Sequence, residues 1–148
     1  MRTILIAVDG SPSAPLVFGA GASAARAMPA RVVLYRAILM PPDFRPAGMT
    51  EPDALPAYLE GEARTELASL VRAAPDVACE LLVEQAVQPW RAILAAARKL
   101  NADLIVLGSH GYHGWDRILG TTAGKVANLS HRDVLIVHAR SPRTPEDE

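Results

Sequence analysis

The chain has 148 residues, half of them apolar and about a fifth charged, with a formal net charge of −1. That length supports one domain with a real core, and the charge balance leaves no basic footprint for nucleic acid. A single cysteine, Cys79, excludes an internal disulfide and fits a reducing cytoplasm, and no apolar run has the length of a membrane span or a secretory signal.

Thr3–Asp9 is a nearly continuous apolar run rich in β-branched residues, which predicts a strand buried on both faces. It stops at Asp9-Gly10-Ser11-Pro12. Ser11 is the expected N-cap and Pro12 the expected first residue of a helix reaching about Met28. Leu16, Val17, Ala20, Ala24 and Ala27 recur near a helical period, and the small residues from Gly19 to Ala22 predict close packing on a sheet. Pro29 closes this helix. Arg31–Leu39 reads as the second strand, so the first three elements make a right-handed βαβ unit.

Five prolines between residues 40 and 56 argue against a helix there and for an irregular, exposed excursion, either a lid or a tolerated insertion. A helix is expected from Ala57 to Ala74, with Leu59, Ala63, Leu67, Leu70 and Val71 on one face. Val77–Glu84 reads as the third strand and carries Cys79 as a small core residue rather than a reactive thiol. Gln88-Pro89 opens a helix from Trp90 to Leu100, with Ile93, Leu94, Ala97 and Leu100 apolar.

Leu104–Leu107 is short and apolar, as a buried strand requires. A loop with Gly108, Gly111, Gly114 and Gly120 follows, and Gly120-Thr121-Thr122 reads as the entry to a helix ending near Ser130. Strand, glycine-rich loop and helix start make an anion-binding device, because glycine admits close backbone approach and the first helical N–H groups are unpaired. Val134–His138 is the fifth strand, and residues 141–148 read as a frayed polar tail to a single domain spanning 1–140. Strand and helix alternate throughout, without repeats or a linker, which implies an α/β sandwich around a parallel sheet.

Ligands of open parallel sheets sit at the carboxyl ends of the strands, where the strand order reverses. If the first and fourth strands are neighbours there, Asp9 accepts a ribose hydroxyl and the glycine loop takes phosphates. Asp9 also suits a plain capping role. Ser109 and His110 are adjacent on one loop and lack a Gly-x-Ser-x-Gly elbow, so no catalytic residue is assigned. His110, His113, His131 and His138 lack metal-ligand spacing, so no metal site is expected. Gly120-Thr-Thr-Ala-Gly124-Lys125-Val126 falls short of a P-loop. It has three residues between its glycines and no serine or threonine after the lysine. Lys125 and Arg117 stand as further phosphate candidates, Trp115 as loop packing or a base stack, and Trp90 as helix packing. Val134, Leu135, Ile136 and Val137 form a wholly apolar run, which at a sheet edge would invite pairing with a second copy.

Thr-Ile-Leu-Ile-Ala-Val-Asp-Gly-Ser from Thr3, Asp-Leu-Ile-Val-Leu-Gly-Ser-His-Gly from Asp103, then Gly120-Thr121 and Val134–Val137 resemble the universal stress protein family over almost the whole chain. The resemblance implies a Rossmann-like three-layer α/β/α sandwich with a five-stranded parallel sheet in order 3-2-1-4-5, and a homodimer. It implies ATP or a related adenine nucleotide, with or without Mg2+, between the ends of strands 1 and 4. Nucleotide-binding members share a pattern of glycine, two residues, glycine, nine residues, glycine, then serine or threonine. Here Gly108-x-x-Gly111 and Gly120-Thr121 match, with eight residues between Gly111 and Gly120. By matched position, Asp9 meets ribose or base, and Ala7, Val8, Ala37 and Leu107 line the adenine slot. Gly108, Gly111, Gly120, Thr121 and Thr122 hold ribose and phosphates, with Ser109 and His110 in the same loop. The implied role is a cytoplasmic sensor or regulator in stress adaptation, a binding module rather than primarily an enzyme. The competing readings are a nucleotide-free dimeric interaction protein and an ATP-dependent enzyme such as a slow hydrolase.

Overall fold

The computed structural model of the chain describes residues 1–40, 54–110 and 119–139. Five strands, β1 (Arg2–Ala7), β2 (Ala30–Leu39), β3 (Cys79–Ala86), β4 (Leu104–Gly108) and β5 (Asp133–Val137), alternate with four helices. The helices are α1 (Ala14–Ala27), α2 (Ala54–Arg72), α3 (Pro89–Lys99) and α4 (Thr121–Leu129). All strand pairs are parallel, in the order β3-β2-β1-β4-β5, so β1 and β4 are neighbours at the point where the order reverses. The register sets Ala7 of β1 beside Tyr35 on one side and Leu107 on the other.

The apolar run of β1 is buried on both faces because alternate residues enter two cores. Ile4 and Ile6 join Leu34, Val106 and the buried residues of α1 and α2, whereas Leu5 and Ala7 join Tyr35, Ile105, Leu107 and those of α3 and α4. A large aliphatic side chain taken fully out of water contributes about 1.5–3 kcal/mol, so the central strands carry much of the stability. The close packing expected of the small residues in α1 is concentrated at Gly21. A Cβ there would lie 2.3 Å from Ile6 Cδ1, whereas one at Gly19 would meet nothing within 4 Å.

Several boundaries differ from the sequence reading for identifiable reasons. The helix expected from Ser11-Pro12 begins at Ala14, with Ser13 as N-cap and a proline in its first turn, Pro15. The Asp9 carboxylate accepts the Ser11 N–H at 2.9 Å, and the Ala14 N–H donates to the Ser11 carbonyl at 3.1 Å. Those two bonds close turns that occupy residues 9–14 before the helix can start. The buried face is consequently Ala14, Val17, Phe18, Gly21 and Ala22, and Leu16, expected inside, is 48% exposed. The helix expected from Ala57 begins at Ala54 and holds Pro56 in its first turn, where a missing N–H breaks no intrahelical bond. Residues 41–53 of the proline-rich excursion lie outside the described residues. The third strand runs two residues later than expected at each end, because Val77 is buried in a turn whose N–H donates to the Ala74 carbonyl. Cys79 is half-buried, and burial pushes its thiol pKa up, as suits a packing residue.

Arg26 at the end of α1 donates to both carboxylate oxygens of Asp76, at 2.7 and 2.9 Å. The guanidinium holds the Asp76 pKa down from 3.8 to about 2. Because the folded-state value lies below the unfolded one, the pair's stabilisation is full above roughly pH 4 and is lost as pH falls towards 2. Asp76→Asn should therefore reduce the pH dependence of urea midpoints over that interval. Both side chains are about half exposed, so the effect will be small. An unchanged pH profile would show that the pair contributes nothing in solution.

Candidate functional site

In a parallel sheet each helix that follows a strand starts at the sheet's carboxyl end. The N-caps of α1, α3 and α4 are Ser13, Gln88 and Gly120, and none makes a side-chain capping bond. The positive ends of three helix dipoles converge on one region, but in α1 the Ala14 and Leu16 N–H groups already donate to the Ser11 and Ser13 carbonyls, at 3.1 and 3.0 Å, and Pro15 has no N–H. Pro89 removes one donor from α3, so α4 presents the fuller set.

A cavity of about 270 Å³ opens there, between the ends of β1 and β4. Eleven of the twelve residues singled out from the sequence line it: Ala7, Val8, Asp9, Ala37, Leu107, Gly108, Ser109, His110, Gly120, Thr121 and Thr122. The twelfth, Gly111, lies outside the described residues, as do His113, Gly114, Trp115 and Arg117.

The walls are apolar on the sheet side and polar at the β4–α4 junction. That junction is held by backbone bonds: Ser109 N–H donates to the Val137 carbonyl at 2.9 Å, and Gly120 N–H donates to the Ser109 carbonyl at 2.8 Å. The second bond brings the end of the strand against the start of α4, so Thr121, Thr122 and Ala123 face the cavity. Ser109 Oγ lies 3.2 Å from His110 Nδ1, a contact whose donor depends on the imidazole tautomer. Asp9 is exposed. Its Oδ1 fixes the turn to Ser11, so the carboxylate is oriented at the cavity's rim.

The sequence reading missed Ser13, Ala14 and Val17 from α1, Pro89 and Ile93 from α3, and Tyr35, Leu39 and Ala123. Tyr35 was accessible to inference, since it shares a face with Ala37 by the two-residue period of β2. Its ring is 0% exposed, and its hydroxyl finds no hydrogen-bond partner among the described residues. Burial, with the Glu84 carboxylate adding to it, pushes the hydroxyl pKa upward, so this group stays protonated. Lys125 is not part of the lining. Its ammonium stands 5.6 Å from the centroid of the Trp90 ring. No group of three metal-ligating side chains occurs among the described residues.

The sequence model of the Universal stress protein family matches residues 1–138. The chain belongs to that family. Universal stress protein A homolog 1 of Coxiella burnetii is 47% identical to it over 45 residues, which is 30% of this chain and 31% of that protein. The chain thus aligns with about a third of that relative's length. A universal stress protein solved in complex with cAMP is 28% identical, with a TM-score of 0.65 over 93% of this chain and 96% of its own. The universal stress protein of Archaeoglobus fulgidus, solved in complex with dAMP, has a TM-score of 0.67 at 18% identity, covering 93% of this chain and 97% of its own. The likeness to the latter establishes the Rossmann-like universal stress protein fold. No helix among the described residues is long and apolar enough to cross a membrane.

Proposed function

We propose that this universal stress protein domain binds an adenine nucleotide in the cavity between β1 and β4 and acts as a dimeric sensor or regulator. The observation that carries this reading is a single cavity combining an apolar slot with the unpaired start of α4. The slot, formed by Ala7, Ala37, Ile93 and Leu107, suits a flat purine. The first turn of α4 suits phosphate oxygens. Asp9 stands where it can accept a ribose hydroxyl. The cAMP and dAMP complexes of the two structural relatives support adenine as the base. ATP is the ligand to test first, with AMP and cyclic AMP beside it. Calorimetry on protein stripped of ligand decides the matter, and no heat at millimolar nucleotide would sink the reading.

Asp9 separates ligand contact from capping. Asp9→Asn keeps an oxygen for the Ser11 N–H and removes the charge. It should weaken nucleotide binding about 10- to 100-fold, as expected for a charge-assisted hydrogen bond of about 1.5–3 kcal/mol, while leaving the melting temperature nearly unchanged. Equal affinity in the variant and wild type would return Asp9 to a purely structural role.

The dimer is proposed through β5. Its outer edge is unpaired, and Val134, Leu135, Ile136 and Val137 carry no charge. The opposite edge, β3, carries Glu80 and Glu84, which discourage edge pairing. Leu135→Lys, at the exposed position of that run, should convert the dimer to monomer in sedimentation. A wild-type protein that sediments as monomer at high micromolar concentration would count against this interface.

A further inference from the structure

Beside the cavity, outside its lining, two cations share one aromatic ring. Arg91 Cζ lies 5.0 Å and Lys125 Nζ 5.6 Å from the centroid of Trp90. Neither cation is ion-paired among the described residues, and neither α3 nor α4 contains an aspartate or glutamate. Two like charges gathered on one ring repel each other, and an anion placed between them relieves that repulsion. Both elements also reach the cavity. Trp90 follows Pro89, and Lys125 lies four residues after Thr121 and three after Thr122, all three of which line the cavity. Residues at those spacings share a helix face, and helical side chains lean towards the N-terminus. Lys125 therefore extends back towards the end of α4 that faces the cavity.

We propose that Trp90, Arg91 and Lys125 form a polyphosphate subsite on the rim, taking the distal phosphates of a nucleotide whose first phosphate meets the start of α4. The inference rests on the nucleotide reading of the cavity. The cavity of about 270 Å³ is open at its mouth, and a phosphate chain that begins at the start of α4 has a path towards the rim. Arg91 offers a planar fork of N–H donors and Lys125 a mobile point charge, a pairing suited to successive phosphoryl groups. The Trp90 ring holds both in place before the ligand arrives.

The chain has two tryptophans, so Trp115→Phe leaves Trp90 as the sole emitter. Titrating that protein with inorganic tripolyphosphate should give a saturable change in Trp90 emission. The change should weaken with added salt and vanish in the Arg91→Gln/Lys125→Gln double variant. In calorimetry with chelator present, the double variant should lose tenfold or more in ATP affinity and stay within twofold of wild type for AMP. Both positions are exposed, so circular dichroism and thermal melting should be unchanged. Absence of a saturable response, or equal losses for ATP and AMP, would overturn the subsite. A tripolyphosphate response from a protein that binds no nucleotide would overturn the nucleotide reading, and with it the assignment of this subsite to nucleotide phosphates.

Discussion

Gly120→Val is expected to weaken adenine-nucleotide binding on the order of 100-fold while the protein still folds. A Cβ at Gly120 would lie 3.1 Å from the Ser109 carbonyl oxygen and 3.5 Å from His110 Cα. Both atoms belong to backbone that is itself fixed, because Gly120 N–H donates to Ser109 and Ser109 N–H donates to Val137. The added side chain cannot be absorbed by a rotamer change, so the start of α4 must move away from the end of β4. Overpacking of this kind costs about 1–3 kcal/mol, and here the displaced groups are the N–H donors proposed to meet phosphate. The control is Gly124→Ala, four residues on. A Cβ there meets nothing within 4 Å, and alanine replaces glycine inside a helix, so this variant should gain up to about 1 kcal/mol in stability and bind nucleotide as before. If the two variants bind equally well, close approach at the β4–α4 junction is not what shapes the site.

The different fates of those two glycines show where sequence reading succeeds and where it stops. The apolar runs of β1, β4 and β5 and the alternation of strands with helices were legible because burial on two faces leaves a continuous signature. Strand order came from the resemblance, since periodicity does not say which parallel strands are neighbours. Loop residues at the ends of β1 and β4 were legible as candidates, because Asp9 and the glycines stand out chemically. The contributions of Val17, Ile93 and Pro89 were not. They are ordinary helix residues, and only packing of α1 and α3 across the sheet turns them towards the cavity. The start of α1 failed for a local reason. Ser11 and Ser13 are both competent N-caps, and the choice was made by the turn that Asp9 closes, together with a 2.8 Å bond between the two hydroxyls. Leu16 was expected inside because it recurs with Val17 and Ala20 near a helical period, but the face that packs on the sheet runs through Ala14, Val17, Phe18, Gly21 and Ala22 and leaves Leu16 outside.

Leu34→Ala and Tyr35→Phe are neighbours on β2, and their effects are expected to differ by several kcal/mol. Both side chains are 0% exposed, but they enter opposite cores. Leu34 packs in the layer of α1 and α2 with Ile4, Ile6 and Val106. These lie on central strands that the ladders hold at fixed spacing, so the gap left by alanine cannot collapse. The cost should fall in the range of about 2–5 kcal/mol for a buried leucine, enough to unfold a domain of marginal stability. Tyr35→Phe removes only a buried oxygen that makes no hydrogen bond of normal geometry among the described residues, although the Glu84 carboxylate lies close enough to act on it. Deleting such a group removes its desolvation penalty, so the variant should be neutral or more stable by up to about 1–3 kcal/mol. Urea unfolding of both variants measures the contrast. A Tyr35→Phe protein destabilised by more than about 1 kcal/mol would mean that the hydroxyl is satisfied in solution, by an ordered water or by movement of Glu84. Tyr35 lines the cavity, so its variant should also be titrated with nucleotide. Unchanged affinity would assign the ring to the floor of the site and leave base recognition to the strand ends above it.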